Sequence, residues 1–456
     1  MSEPTREFLS AIWHGLGGDP ASIARVGFTG CGDLPSVFAV SDLASAAVAA
    51  AGAALAELIG EAFGERVTLS VDRRLASLWF GFSLQPEGWA LPAPWDPIAG
   101  DYRTRDGWIR LHTNAPHHRD AALAVLGVPP EKARVEAAVA GWMSDTLEAA
   151  VVERGGCAAA MRALCAWPGH PQGARVREEP LIAHRDRDDT DPAPWRPSRE
   201  RPLAGLRVLD LTRVLAGPVA TRFLAGFGAE VLRIDPPAWD EPAVVPDVTL
   251  GKRCARLDLK NPQELEQLQR LLCDAHVLVH GYRPDALESL GLGVEARRRL
   301  RPGLIDVSLD AYGWTGPWRN RRGFDSLVQM SCGIADEGMR RLGRDRPTPL
   351  PVQALDHATG YLMATAVVRG LTRRVASARG FEARTSLART AEVLIAGPAG
   401  RADASWAPAG AADFLQALEP TAFGPARRLK PPVVIEGAPM RWDRPAAALG
   451  SSPAQW

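Results

Sequence analysis

From about residue 206 the chain alternates two apolar rhythms: short aliphatic runs, and longer stretches in which apolar positions recur every three or four residues. Residues 206–211 read as a strand, the stretch ending near Gly226 to Gly228 as a helix, and residues 230–234 as a second strand. The alternation continues with CARLDL as strand, PQELEQLQRLLCDA as amphipathic helix, HVLVHGY as strand, a further helix, and GLIDVSLD as strand. Strands separated by helical patterns predict a parallel sheet with helices on both faces, an α/β doubly wound domain. The first half is patterned differently. DYRTRDGWIRLHT reads as a hairpin turning at Arg105 to Gly107, followed by helical patterns at residues 121–126 and 146–154, which predicts a smaller α+β unit.

Two other segments share a pattern. Asp42 and Asp356 each precede an apolar helix, then Gly64 or Gly380, then Ser70 or Ser386 six residues on, and this reads as an internal repeat. Similar Ala-rich composition is the plainer explanation of the match. Residues 183–202, AHRDRDDTDPAPWRPSRERP, are charged, Pro-rich and nearly free of aliphatic side chains, as a solvated linker is. The predicted organisation is therefore a repeat-helix segment packing on the sheet domain (1–80), a small α+β domain (81–182), a linker (183–202), a Rossmann-like domain (203–395) and an irregular tail (396–456). The helix after Asp42 is apolar on nearly every face, so it needs a large surface to cover it, in its own chain or a second one.

Composition narrows the function. Lys plus Arg and Asp plus Glu number 53 each in 456 residues, so no global field draws nucleic acid or an anionic membrane. The six cysteines are scattered without a CxxC pair, which points to reduced thiols in the cytoplasm and to neither disulfides nor a metal site. MSEPTREFLS lacks the apolar core of a secretory signal, and the Ala-rich run at 43–55 is too short to span a bilayer. The turn LTRVLAGP has only Gly217 near the helix start, so the GxGxxG of a dinucleotide site is missing. A structural glycine explains Gly217 if no ligand binds there.

Five blocks carry a family resemblance: GLRVLDLTRVLAGPVATRFLAGFGAEVLRID, GKRCARLDLK, HGYRPDALESLGLG, RPGLIDVSLDAYGWTGP and GFDSLVQMSCGIADEG. In this order and spacing they resemble the family III CoA-transferases, the group of the formyl-CoA and carnitine CoA-transferases and the 2-methylacyl-CoA racemases. PPVVIEGAPMRWDRPAAALG resembles the family's tail, and GDYRTRDGWIRLH with WPGHPQGARVREEPLI its small domain. The family order is sheet domain first, whereas here the small-domain part comes first.

The resemblance implies transfer of CoA from an acyl-CoA to a small carboxylic acid, with CoA as substrate and no permanent cofactor. It implies an Asp nucleophile at the start of an apolar helix, at the place of Asp356 in PVQALDHATG. A carboxylate with an ordinary pKa is ionised at neutral pH and attacks a thioester without a partner base. The competing structural role for Asp356, and for Asp42, is a helix N-cap. Phe324, Asp325, Gln329 and Gly333 are the expected pocket and oxyanion residues, with Ser331-Cys332-Gly333 offering N–H donors. CoA contacts are expected from Arg213, Val214, Leu215 and Ala216, from the basic pair Lys252 and Arg253, and from Gly281, Tyr282 and Arg283. Singly, each basic residue also reads as solvated surface.

Phe324 stands where the racemases carry His, which argues against racemisation, although His357 adjoins Asp356. A 2-methylacyl-CoA isomerase and a non-catalytic acyl-CoA-binding homologue remain the alternatives. Family members are interlocked dimers, which implies a homodimer here too.

Overall fold

The computed structural model describes residues 2–190 and 195–456. The N-terminal segment begins with helix α1 (Glu3–Gly15), whose buried face is Phe8, Leu9, Ile12 and Trp13 at helical spacing. It continues through β1 (Gly27–Thr29), α2 (Val40–Phe63), β2 (Leu69–Asp72) and α3 (Arg73–Trp79). By length and composition α2 is long and apolar enough to cross a membrane, longer than the 43–55 run suggests, but 83% of its most apolar window lies inside the protein.

The chain then forms β3 (Leu84–Pro86) and an antiparallel sheet of β4 (Gly100–Arg103), β5 (Trp108–Leu111) and β6 (Ala158–Ala160). Helices Pro116–Leu126, Lys132–Val139 and Ser144–Glu153 cover it. Its separate core includes Ile98, Tyr102, Ile109, Val135, Leu147 and Val151. The residues of the expected linker depart from the prediction. Residues 183–190 form strand β7 (Ala183–Thr190), paired antiparallel to the main sheet, and residues 191–194 lie outside the described residues. Its charges do not prevent this, because an edge strand needs only main-chain partners. Arg185 and Arg187 reach Glu382 on the neighbouring strand, and Asp189 accepts from Gly303 N–H at 2.8 Å.

The main sheet comprises β8 (Arg207–Leu211), β9 (Glu230–Asp235), β10 (Lys252–Arg256), β11 (Val277–His280), β12 (Ile305–Asp310) and β13 (Arg379–Ser386), in the order β10-β9-β8-β11-β12-β13-β7. All pairs are parallel except β13 with β7. Without β7 this is the doubly wound order, with its reversal between β8 and β11. The helices that border the crevice at this reversal or support its walls are α4 (Ala216–Gly226), α5 (Asp325–Ser331), α6 (Ile334–Arg341) and α7 (Ala354–Ser377), with α8 (Leu387–Ala396) after β13.

The tail is less irregular than expected. It carries β14 (Phe414–Thr421) and β15 (Gly424–Leu429), with β15 pairing to β3, and β16 (Val433–Ile435), antiparallel to β2. Its reach is secured by charge. Arg428 of β15 and Arg222 of α4 both bind Asp247, which also accepts from Ser83 N–H at 3.0 Å; all four residues are buried. Removing one member of such a cluster leaves charges uncompensated, at about 3–5 kcal/mol.

The repeat is a structural one. The 24-residue helices α2 and α7 pack against each other, and both begin alike: Ala39 (φ −77°, ψ 61°) and Gln353 (φ −75°, ψ 64°) precede them. Both end in a left-handed residue, Gly64 (φ 70°) and Ala378 (φ 57°). The second half of the sequence match is shifted. Gly64 corresponds to Ala378, not to Gly380. Asp72 and Ser386, each accepting from the backbone N–H three residues on, are the equivalent caps. Each long helix is followed by a strand that lies parallel to one neighbour and antiparallel to the other: β1-β2-β16 in one copy, β12-β13-β7 in the other. The strand after the small domain thus completes the sheet of the second copy, while the strand near the chain's end completes the sheet of the first.

One continuous core runs from Phe8 through α2 and α7 to Met440. Fragments 1–185 and 203–456, expressed separately, are therefore expected to be insoluble or molten and to become ordered only on mixing. Circular dichroism melts of each fragment and of the mixture check this; two independent cooperative transitions without association would contradict it.

Candidate active site

Two cavities meet above the C-terminal ends of the sheet strands. The first, of about 530 Å³, opens at the switch point, between the loop after β8 (Thr212, Arg213, Val214) and the loop after β11 (Gly281, Tyr282, Arg283). The second, of about 510 Å³, lies between the end of α3, the small domain and the loop after β9. Val214, Trp239, Phe324 and Asp356 line both.

The β8 loop is strained. Val214 has φ +63°, an uncommon conformation for a β-branched residue. It is held by its N–H donating to Glu241 Oε2 at 2.9 Å, and Glu241 is itself fixed by the buried Arg233. Gly217 allows the following helix to approach: a side chain there would overlap Thr212. Arg213 donates to Tyr282 Oη at 2.9 Å and stacks over Trp239 and Tyr282 at 4.9 and 5.2 Å. The first cavity also takes the cations Lys260, Arg283, Arg321 and Arg322, together with His117 and His118. Arg321 is committed to Glu148 at 2.9 Å, whereas Lys260 is largely exposed.

Asp356 is the third residue of α7 and makes no cap, so the N-cap reading of this residue fails. Its own N–H and that of Leu355 donate instead to Asp325 Oδ2, at 3.0 and 2.8 Å. Gln329 Nε2 adds a third donor to the Asp325 carboxylate, and Gln329 Oε1 accepts from Leu350 N–H at 2.7 Å. Burial raises Asp325 to about 6 against these donors, while burial and the charge of Asp325 push Asp356 well above the carboxylate range. Three donors favour the charged form of Asp325, so of the two carboxyls Asp356 is the one that holds its proton more tightly. That corrects the expectation of an ordinary, ionised Asp356.

Phe324 divides the cavities. His112 stacks on one face with ring centroids 3.8 Å apart, and His118 meets it edge-on at 5.8 Å. Burial pushes His112, His118 and His357 down to about 3, so all three are neutral. His357 faces the second cavity and stacks on Phe80 at 5.4 Å.

Several expected site residues are elsewhere. Lys252 is buried, its Nζ 3.0 Å from both Asp210 Oδ2 and the Pro218 carbonyl, and reaches neither cavity. Arg253 donates to the carbonyl of Gln455 at 2.9 Å and also lies away. Gly333 (φ +83°) packs against the backbone of Leu164 where α6 begins, and Ser331 faces Tyr312 at 3.2 Å. Neither these two nor Cys332 lines a cavity, so the expected oxyanion loop is structural, as is Gln329 behind Asp325. Leu215 lines the second cavity and Ala216 the first. The sequence reading missed Lys260, Arg321, Arg322 and the His117-His118 pair; the RNRR run directly before GFD was the available signal.

The other copy has lost this arrangement. Asp42, at the place of Asp356, is again third in its helix and no cap, and its carboxylate accepts from Ser2 and Thr5 hydroxyls at 2.6 Å and from Arg73 at 2.8 Å. Burial opposes its ionisation, but these donors outweigh burial and hold it below the usual range. Only a small hollow of about 140 Å³ remains there, lined in part by Ser2, Thr5 and Arg73.

Residues 203–413 match the model of CoA-transferase family III. Acetyl-coenzyme A transferase nodX of Hypoxylon pulicicidum is 35% identical over 44% of this chain and 36% of its own length. Succinyl-CoA:glutarate CoA-transferase of Mus musculus is 33% identical over 40% of this chain and 44% of its own. A crystal structure of a hypothetical protein from Mycobacterium tuberculosis shares 31% identity over 42% of this chain and 56% of that one, at a TM-score of 0.37. The chain spans between about a third and a half of the length of these curated relatives. Asp356 and the loops after β8 and β11 that line the switch-point cavity lie inside this segment, residues 203–413, which is similar to CoA-transferase family III.

Proposed function

We propose that the protein transfers CoA from an acyl-CoA donor to a carboxylic acid through a covalent intermediate on Asp356. The observation that carries this reading is the position of Asp356 at the junction of a cation-lined cavity and a largely apolar one. The phosphates of CoA call for the cations Arg213, Arg283, Arg322 and Lys260 of the first cavity, which leaves the thioester at Asp356 and the acyl group in the second. Relatives named as CoA-transferases support the same chemistry.

Asp356, once ionised, attacks the thioester carbonyl; the C–S bond breaks, and a mixed anhydride and CoA thiolate result. The thiolate then attacks the aspartyl carbonyl and expels the first acid, leaving an aspartyl-CoA thioester. The acceptor carboxylate reverses the sequence: it forms a new anhydride with Asp356 and releases thiolate. That thiolate takes the acyl carbon and returns Asp356 as a carboxylate. Asp325 acts by position. It fixes the first turn of α7 through two N–H groups, and its charge keeps Asp356 basic, which strengthens it as a nucleophile when it does ionise. Residues of both halves of the chain line each cavity: His117, His118 and Asp356 the first, and Phe80, Trp95, His112 and Asp356 the second.

Asp356→Ala is expected to abolish transfer while circular dichroism and melting stay near wild type, since no cap is lost. Transfer retained in that variant would remove Asp356 from the mechanism, and loss of acyl-CoA turnover separates an enzyme from a binding homologue. Acyl-CoA followed by hydroxylamine should leave Asp356 modified in the peptide mass spectrum, and an unmodified peptide at full turnover would count against the covalent route.

The raised carboxyls also make stability depend on pH. Above the unfolded value of 3.8 the native state holds more protons than the unfolded chain, so stability falls as pH rises through the folded values of Asp325 and Asp356. Asp356→Asn removes the costlier of the two ionisations. Its Tm should exceed that of wild type by about 2 °C at pH 8, with the gain shrinking towards pH 4. An unchanged difference across that range, read by calorimetry, would contradict the assignment.

A further inference from the structure

The second cavity has a composition unlike the first. Among the described residues no lysine or arginine lines it. Its apolar wall includes Phe80, Phe82, Trp95, Trp239, Pro242 and Val244, and Phe82 and Trp95, each 37% exposed, sit on its open side. Five carboxyl groups also face it: Asp96, Asp240, Glu241, Asp325 and Asp356. The two histidines in its wall, His112 and His357, are neutral and supply no positive charge.

This lining decides against two classes of acyl group. A second carboxylate on the substrate would leave water among carboxyl groups with no lysine or arginine in the lining to pair with it, and an unpaired charge in such a place is strongly disfavoured. A cationic group would need open aromatic faces. Trp95 already carries the Arg110 guanidinium at 4.8 Å from its centroid and Trp239 that of Arg213 at 4.9 Å. Of the carboxylates, Glu241 is held by Arg233, and Asp96 accepts from Thr113 at 2.8 Å and Arg119 at 3.4 Å. What the wall offers without competition is apolar contact. At about 510 Å³ the cavity has room for an acyl chain well beyond acetyl.

Resting on the transferase reading above, we propose that the acyl group carried by this protein is that of an uncharged, apolar monocarboxylic acid, aliphatic or aryl, seated between Phe80, Trp95 and Trp239. Dicarboxylic acids are excluded by the absence of a countercharge, whatever the relatives accept.

With acetyl-CoA as donor, hexanoate and phenylacetate should be used with kcat/KM at least about 100-fold above glutarate and succinate, the scale set by an unpaired buried charge. A preference for the dicarboxylates, or for a trimethylammonium-bearing acid, overturns the proposal. Val352→Arg, which brings a guanidinium to the cavity wall, should narrow the hexanoate-to-glutarate ratio at least about 10-fold; an unchanged ratio also overturns it. The inference and the transferase reading can fail separately. Unreactive thioethers, hexyl-CoA and carboxybutyl-CoA, bind without chemistry. If no acid is a substrate but calorimetry shows hexyl-CoA bound at least about 10-fold tighter than carboxybutyl-CoA, the apolar cavity stands and the transfer reaction falls. Equal or reversed affinities sink the cavity assignment whether or not transfer occurs.

Discussion

The burial of α7 along its first five turns is the constraint on which the rest depends. Almost every residue from Ala354 to Thr372 is buried, so α7 needs cover on all sides, and no single neighbour can give it. The sheet supplies one side, α4 a second and α2 a third. The approach of α4 is so close that a side chain at Gly360 would collide with the Ala216 carbonyl and lie 2.8 Å from the Cβ of Val219. Because α4 begins directly after the strained β8 loop, this one contact sets the distance between the switch-point cavity and Asp356. A helix buried less completely would leave that distance free to vary, and near-attack geometry does not tolerate such freedom.

The two copies of the helix–strand–helix unit show what the fold fixes and what it leaves open. Their backbones agree at the N-cap, at the C-cap and in the strand pairing, so the position of an Asp in the first turn is inherited by both. The chemistry is set by neighbours. Arg73 and two hydroxyls surround Asp42 and hold it charged, while Asp356 faces open space and a second carboxylate. Ala46 stands where α7 has Gly360, and around α2 the place of α4 is taken by α1. α1 brings Ser2 and Thr5 onto the Asp42 carboxylate and closes the site. The crossing of β7 and β16 between the copies then locks the asymmetric pair into one chain.

How much of this was legible depends on where each signal came from. Strands β8, β9, β11 and β12 are buried on both faces, so their aliphatic runs announce them. Strand β7 is invisible by the same logic: an edge held by main-chain bonds tolerates a sequence such as AHRDRDDT, which reads as linker. The position of Asp356 was legible from its setting, but its protonation was not, because Asp325 lies thirty-one positions earlier and meets it only in three dimensions. Lys252 misled for a related reason. A lysine at a strand start looks available until Asp210, on β8 and separated from β10 by β9 in the sheet, is seen to neutralise it. Two cations of the cavity that were not foreseen, Arg321 and Arg322, stand together in the RNRR run, yet a charge run is usually solvated, and only the fold shows that this one borders a crevice.

The site also shows why its features cluster. Val214 in a left-handed conformation and two carboxyls sharing one locality oppose stability, and each lines one or both of the two cavities. The surrounding structure compensates through contacts that have no other use: Glu241 pinning the Val214 N–H, Gln329 and two backbone donors on Asp325, and Phe324 clamped by stacked rings. Strain of this kind persists only where neighbours over-determine it. The same residues then keep lysine and arginine side chains on one side of Asp356 and a lining without them on the other, the division that the proposed thioester chemistry uses.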